Sequence, residues 1–435
     1  MSTTARPIDS PLAARLQRSV RSPLPWLVLW VVSRGWMLRD WVEHQQYIVN
    51  DVRYYQAQLQ QAGGYPVTLR EYPMPVVWLL DALRWPSADD ASIYVVVFAL
   101  LMAVLDLLFA IWLWRGRARL AAIHWGCFTF ALGPLVWFRY DLLAAVVVGA
   151  AVFLVATRPA TSGALLALGA GIKLWPALLL AGLVGPDARS RRRHAAFWAT
   201  GIALALASLV SAGFTRLVSP LSWQSQRGLQ VESVWATVPV YLRTFGSHEQ
   251  TAGPDARWQV RMSPFNAYEV YGPGVENLLN LASMAMALGV LFAVAIALVA
   301  WRREVPAHTR ALACLTIVLV MISANKALSP QYMAWLGAVS AAWLALAPQG
   351  RQRHRAMLVA LLCLLLSLAT QTIYPRHYGE LLGAAPQHAW VTTTFMLRNL
   401  GLAVLTLLTS WWTITELLCR RFAQATGGAA TINHR

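Results

Sequence analysis

ASIYVVVFALLMAVLDLLFAIWLWRGRARLAAIHWGCFTFALGPLVW, residues 91–137, decides the fold. An apolar run over 91–114 meets Arg115, Arg117 and Arg119, and a second apolar run follows over 119–137. A helix of about 20 apolar residues matches the thickness of a bilayer's hydrocarbon core. Arginines gathered between two such runs mark a cytoplasmic turn, because cytoplasmic loops carry the excess of basic residues. The same punctuation recurs at Arg189 to Arg193 around Ser190, at Arg302 and Arg303, at Arg351, Arg353 and Arg355, and at Arg420 and Arg421. Arg15, Arg18 and Arg21 repeat it in the N-terminal arm. Hydrophobic residues make up 57% of the chain and charged residues 13%, a composition no soluble multidomain protein needs. The chain reads as an all-α polytopic membrane protein. Its net charge of +17 sits in these short basic clusters, so it reports topology and implies no nucleic-acid partner.

Spans are read at 22–40, 91–114, 119–137, 141–157, 194–213, 276–301, 307–324, 330–348, 355–373 and 391–416. Residues 161–185 form a further apolar stretch, interrupted by Lys173 and Pro176. A single crossing there would put the basic stretch 186–193 outside. Two short segments meeting at Lys173-Leu174-Trp175-Pro176 return it to the cytoplasm, and broken segments are tolerated where they line a cavity. This predicts about twelve segments with both termini cytoplasmic. Residues 1–21 form a retained basic arm with no signal-peptide cleavage pattern, 22–416 the transmembrane domain, and 417–435 a cytoplasmic tail. Cys127, Cys314, Cys363 and Cys419 have no metal-ligand or disulfide spacing, and no metal site is expected.

The same topology collects the unusual polar residues on the other face. Two long loops, roughly 41–90 and 214–275, lie there. The first carries Asn50-Asp51-Val52-Arg53-Tyr54-Tyr55 and Arg70-Glu71-Tyr72-Pro73-Met74-Pro75. The second carries Arg227-Gly228-Leu229-Gln230-Val231-Glu232-Ser233. Arg139-Tyr140-Asp141, the hairpin tip at Lys173, Lys326 to Tyr332, and Tyr374 to Glu380 join them. Lys173 and Lys326 are the two lysines of a chain otherwise supplied with arginine. A compact ammonium suits phosphate as a point charge, which a planar guanidinium does not reproduce. Ionisable groups at membrane depth are costly, so their gathering on one face marks a functional site. Plainer readings exist for each. Asp51 could cap a short helix, Glu71 pair with Arg70, Arg139 with Asp141, and Glu232 with Arg227; Asp106 would glue two helices and His377 would pack.

At these residues the chain resembles glycosyltransferase family 87, within the GT-C superfamily. The resemblance rests on an Asp after the first helix with tyrosines beside it, a Tyr-Pro segment some twenty residues later, and Gly-Ile-Lys-Leu-Trp-Pro-Ala at 171–177. Arg-Gly-Leu-Gln-Val-Glu-Ser at 227–233 and Lys-Ala-Leu-Ser-Pro-Gln-Tyr at 326–332 complete it. It covers about 22 to 416, with Met74 where the family's segment has a second Pro and no Asp-x-Asp in the first loop. The resemblance implies a GT-C-type bundle in the plasma membrane and an outward-facing site. The donor would be a polyprenyl monophosphate sugar, mannose before arabinofuranose, and the acceptor a cell-envelope glycan or glycolipid. No cofactor is implied. Asp51 would be the catalytic base of an inverting transfer. Lys173, Lys326 and Arg227 would stabilise the leaving phosphate. Gln230, Glu232, Gln331 and Tyr332 would orient substrate, with Arg53, Tyr54, Glu71, Tyr72, Arg139 and Asp141 lining the site. A polyprenyl-lipid transporter would use similar cations but needs charged or broken helices reachable from both faces. A non-catalytic scaffold needs no such gathering.

Overall fold

The computed structural model describes residues 23–246, 257–384 and 386–418. The basic arm 1–21, Cys419, Arg420, Arg421 and nearly all of the tail lie outside the described residues. The architecture is helical: α1 Leu24–His44, α2 Asn50–Leu59, α3 Met74–Ala82, α4 Ala91–Arg115, α5 Arg119–Leu132, α6 Asp141–Phe153, α7 Pro159–Ile172 and α8 Ala188–Ala212. Then come α9 Phe214–Ser225, α10 Thr237–Phe245, α11 Val275–Trp301, α12 Ala307–Ala324, α13 Met333–Leu346, α14 Arg351–Gln371 and α15 Ala389–Leu418. Among the described residues seven helical stretches are long and apolar enough to cross a membrane, and the protein is a multi-pass membrane protein. The remaining sequence-predicted segments fall on α1, α6, α7, α13 and the 3₁₀ stretch Trp175–Leu183, which are shorter or less apolar than those seven.

The broken segment is present where the sequence places it. α7 ends at Ile172, Lys173 takes an extended conformation, and Trp175 to Leu183 continue as a 3₁₀ helix. Pro176 forbids a continuous α-helix because it lacks the N–H that would bond back along the chain. α7 packs tightly on α8 at Gly163, where a Cβ would overlap the carbonyl of Arg193. Gly163→Ala is therefore expected to push the two helices apart and destabilise the protein by about 1–3 kcal/mol, measured as a melting shift in lipid.

Several basic clusters read as loops are helical. Arg189 to Arg193 occupy the first turns of α8, capped by Asp187 accepting from the Ser190 N–H at 2.7 Å. Arg351, Arg353 and Arg355 open α14. Arginine is a good helix former, so helices run past the apolar stretch that hydropathy detects. These arginines also have structural work. Buried Arg193 donates to the carbonyls of Val155 and Leu183 at 2.9 and 2.8 Å, and Arg310 donates to those of Val305 and Val184. Arg193 thus satisfies the last carbonyl of the 3₁₀ helix and one just past α6, and Arg310 satisfies loop carbonyls just before α8 and just after α11. At the same end Glu416 draws α12, α14 and α15 together by accepting from the Thr309 hydroxyl at 2.7 Å and lying 3.6 Å from Arg355.

Inside the bundle, Asp106 of α4 pairs with Arg34 of α1 at 2.8 Å, and Arg34 also donates to Thr129 of α5. Asp106 is thus the interhelical tie the sequence suggests. One feature departs from an all-helical reading. The second long loop contains an antiparallel hairpin, β1 Gln259–Met262 and β2 Tyr268–Tyr271. Gln230 bridges to Glu269 of β2, so the hairpin seats the Arg227–Ser233 segment.

Candidate active site

At the end of the bundle opposite the basic clusters, α1 gives way to a 3₁₀ turn at Gln46–Val49 and then α2. Val52 and Tyr55 of α2 face the core, Asp51 and Tyr54 sit on its flank, and Arg53 points to the exposed side. Asp51 lies in the first turn of α2, and the N-cap position itself is held by Val49. The Asp51 Oδ2 lies 3.0 Å from Nε of Arg139, in the turn between α5 and α6. Arg139 is buried and donates to the carbonyls of Ile48 and Phe138 at 2.7 and 2.8 Å, and to the Tyr374 hydroxyl at 3.3 Å. Burial works against its charge, yet Asp51 and Tyr374 outweigh that and hold its pKa above the ordinary value. Arg139 and Asp141 do not pair. Each turns to a different partner.

Asp141 opens α6 and is almost fully buried. Its Oδ1 accepts from Lys173 Nζ at 2.5 Å and from Trp335 Nε1 at 2.8 Å. Lys173 lies 4.7–5.2 Å from the ring centres of Tyr332, Tyr140 and Trp335. Tyr332 and Trp175 stack on either contact of Trp335, with ring centres 4.2 and 4.6 Å away. An ammonium among aromatic faces gains from their negative quadrupoles. The Lys-x-x-Pro break therefore ends in a caged, ion-paired lysine. Lys173→Arg is expected to lower transfer by at least roughly tenfold, because a planar fork cannot take the position of a point charge among three rings; kcat measured in lipid checks it.

Two groups extend the site outward. Glu71 accepts from Tyr54 at 2.8 Å, not from Arg70, and Arg227 is half-buried at the start of the Arg227–Ser233 segment. Tyr72 packs edge-on against Tyr55 and Tyr140 at 5.7 and 5.2 Å. Farther along, Gln230 donates its backbone N–H to the Lys326 carbonyl at 3.0 Å. Glu232 pairs with Arg398 of α15 at 2.8 Å, not with Arg227. Glu269 accepts from the Gly228 N–H at 3.0 Å, in space a side chain at Gly228 would fill. Burial lowers the Lys326 pKa against the opposing pull of Glu269. Tyr374 links Arg139 to the hairpin, packing edge-on against Tyr378 at 4.9 Å, which in turn meets Tyr268 of β2 at 5.8 Å. His377 packs on Trp390, as expected, and also bonds Glu380 at 2.9 Å.

The structure thus joins Asp51 with Arg139, Asp141 with Lys173 and Tyr332, Tyr54 with Glu71, Tyr72 with Tyr140, and Gln230 with Lys326. Gln331 is half-buried in the turn beside Tyr332, and Arg53 stays apart on the exposed side of α2. Trp335, Glu269 and Arg398 complete the constellation and were not singled out from the sequence, while Tyr140 and Tyr374 belong to segments the sequence places on this face. Arg398 sits within an apolar helix and is recognised by its partner alone.

A model of glycosyltransferase family 87 matches residues 72–324, more than half of the chain. The protein belongs to glycosyltransferase family 87. It is a membrane glycosyltransferase. The match spans Tyr72, Arg139, Asp141, Lys173, Arg227, Gln230 and Glu232, while Asp51, Lys326, Tyr332 and Arg398 lie outside it. No curated protein and no solved structure matches this family 87 transferase.

Proposed function

We propose that the transferase moves mannose from polyprenyl monophosphate mannose to a hydroxyl of a cell-envelope glycan or glycolipid. The transfer inverts the anomeric centre and uses no metal ion. The site faces outward from the plasma membrane, with both termini cytoplasmic, in a GT-C-type bundle. One observation carries the mechanism. Of the carboxylates Asp51, Asp141 and Glu232, Asp51 keeps 30% of its side chain exposed, while the other two are almost fully buried at 2% and 3%. A general base must reach the proton it takes.

Asp51 takes the proton from the acceptor O–H. That oxygen forms the new bond to the anomeric carbon as the bond to the phosphate oxygen breaks on the opposite side. The electron pair leaves with polyprenyl phosphate. Arg139 fixes the direction of the Asp51 carboxylate. Arg227 and Lys326 supply positive charge toward the leaving phosphate, where fixed charges in a partly dry site act strongly. Lys173 remains tied to Asp141 and orders Tyr332 and Trp335 as a wall for the sugar ring.

The test is transfer by the purified protein in lipid, with EDTA present, from synthetic polyprenyl-phosphate mannose and polyprenyl-phosphate arabinofuranose. Mannose transfer alone is the expected result. Transfer from the arabinofuranosyl donor alone replaces the sugar. Failure of both across a panel of glycan and glycolipid acceptors favours lipid transport instead.

A further inference from the structure

α9 follows α8 after a single residue, Gly213, whose φ of +82° turns the chain. The two helices differ in what they expose. On α8, Trp198, Ile202, Leu206 and Val210 form an exposed apolar line, Val210 at 87%. Spaced four apart on a membrane span, these are lipid-facing residues. The line does not stop at the turn. Phe214 and Leu221 of α9 are exposed at 68% and 63%, with Val218 between them. At 100° per residue these three fall within one narrow arc. Thr215 and Ser222, also exposed, form the adjoining polar shoulder. The opposite side, Arg216, Ser219 and Pro220, is buried.

That buried side is a clamp. Arg216 donates to the carbonyls of Leu69 and Tyr72 at 2.8 Å each and to that of Thr68 at 3.2 Å. The Ser219 hydroxyl lies 2.7 Å from the Arg70 carbonyl and 2.9 Å from the Arg216 carbonyl, the latter deprived of its helical partner by Pro220. The clamped loop carries Glu71 and Tyr72, two residues of the site.

We propose that α9 lies in the plane of the membrane interface at the active-site end, with Phe214, Val218 and Leu221 in the lipid. Through Arg216 it holds the Thr68–Tyr72 loop at a set height above the bilayer. The occupant of the apolar arc is the lipid surface, because the arc continues the lipid-facing line of α8 and has a polar shoulder on one side only. In-plane helices bury such a face about 5–10 Å into the headgroup boundary. The inference goes beyond sugar transfer and does not depend on the donor's identity.

The experiment places single nitroxide labels by Val218→Cys and Ser222→Cys, in a chain whose native cysteines are replaced by alanine, reconstituted in phosphatidylethanolamine and phosphatidylglycerol vesicles. At 218 the label should relax with oxygen and resist a water-soluble nickel complex; at 222 the order should reverse. Nickel reaching 218 as readily as 222 overturns the proposal. So does a label at 218 shielded from both reagents, which means protein covers the arc. A second measurement tests the clamp. Arg216→Gln should speed amide hydrogen exchange over residues 65–73 by roughly tenfold or more, with α8 exchange unchanged. Unchanged exchange in the loop rejects the clamp.

Discussion

Asp51→Asn lowers sugar transfer by roughly a thousandfold or more, while the protein still inserts and melts within a few degrees of wild type. Asparagine keeps the shape of the side chain but cannot accept the acceptor's proton. Arg139 loses its ion-pair partner, yet it keeps its bonds to the carbonyls of Ile48 and Phe138 and to Tyr374. The remaining charge is therefore solvated by the protein, and the cost in stability stays below that of stripping a fully buried pair. Donor binding should survive, since the lipid tail and phosphate do not touch the base in this mechanism. Transfer and donor binding measured side by side decide the point. Substantial transfer by the variant removes Asp51 from the base role.

Arg398→Met destabilises the protein by about 3–5 kcal/mol, the cost of leaving a buried charge unpaired. The side chains of Arg398 and Glu232 are 0% and 3% exposed. Arg398 also donates to the Glu232 carbonyl at 3.0 Å, and Asn399 to the Ser233 carbonyl at 3.2 Å. The pair thus fixes the Gln230–Ser233 segment to α15. Adding Glu232→Gln to Arg398→Met should recover much of the loss, because the orphan carboxylate is gone. Burial holds the Glu232 carboxyl above the ordinary carboxylate range, against the pull of Arg398. The folded protein therefore favours the proton. Stability from this group is fullest below the unfolded carboxyl's pKa and declines as pH rises through the folded value. The double variant should lack that decline. Melting of all three proteins in lipid across the acidic range checks both points; a double variant no more stable than Arg398→Met shows that the cost lies in lost packing.

The bundle was legible because hydropathy and basic clusters are local signals. The two runs at 91–137 need no partner to be read, and the break at Lys173 and Pro176 follows from what proline cannot do. Helix ends were misread at α8 and α14, since arginine continues a helix that apolarity has stopped marking. The hairpin at 259–271 was missed, because four-residue strands owe their existence to the segment they cradle, here Gly228 to Gln230.

The site divided the same way. Sequence alone determined that Asp51, Arg139, Asp141, Lys173, Glu232 and Lys326 share one end of a membrane bundle, because topology follows from residue order and charge placement. Pairing is different. Asp141 turns to Lys173 across 32 positions, Arg139 to Asp51, and Glu232 to Arg398 across 166 positions. Neighbours in sequence offered an equally good charge each time. Only the tertiary structure decided between them, because a buried charge takes the partner that packing brings within about 3 Å, and packing is set by side chains far away along the chain.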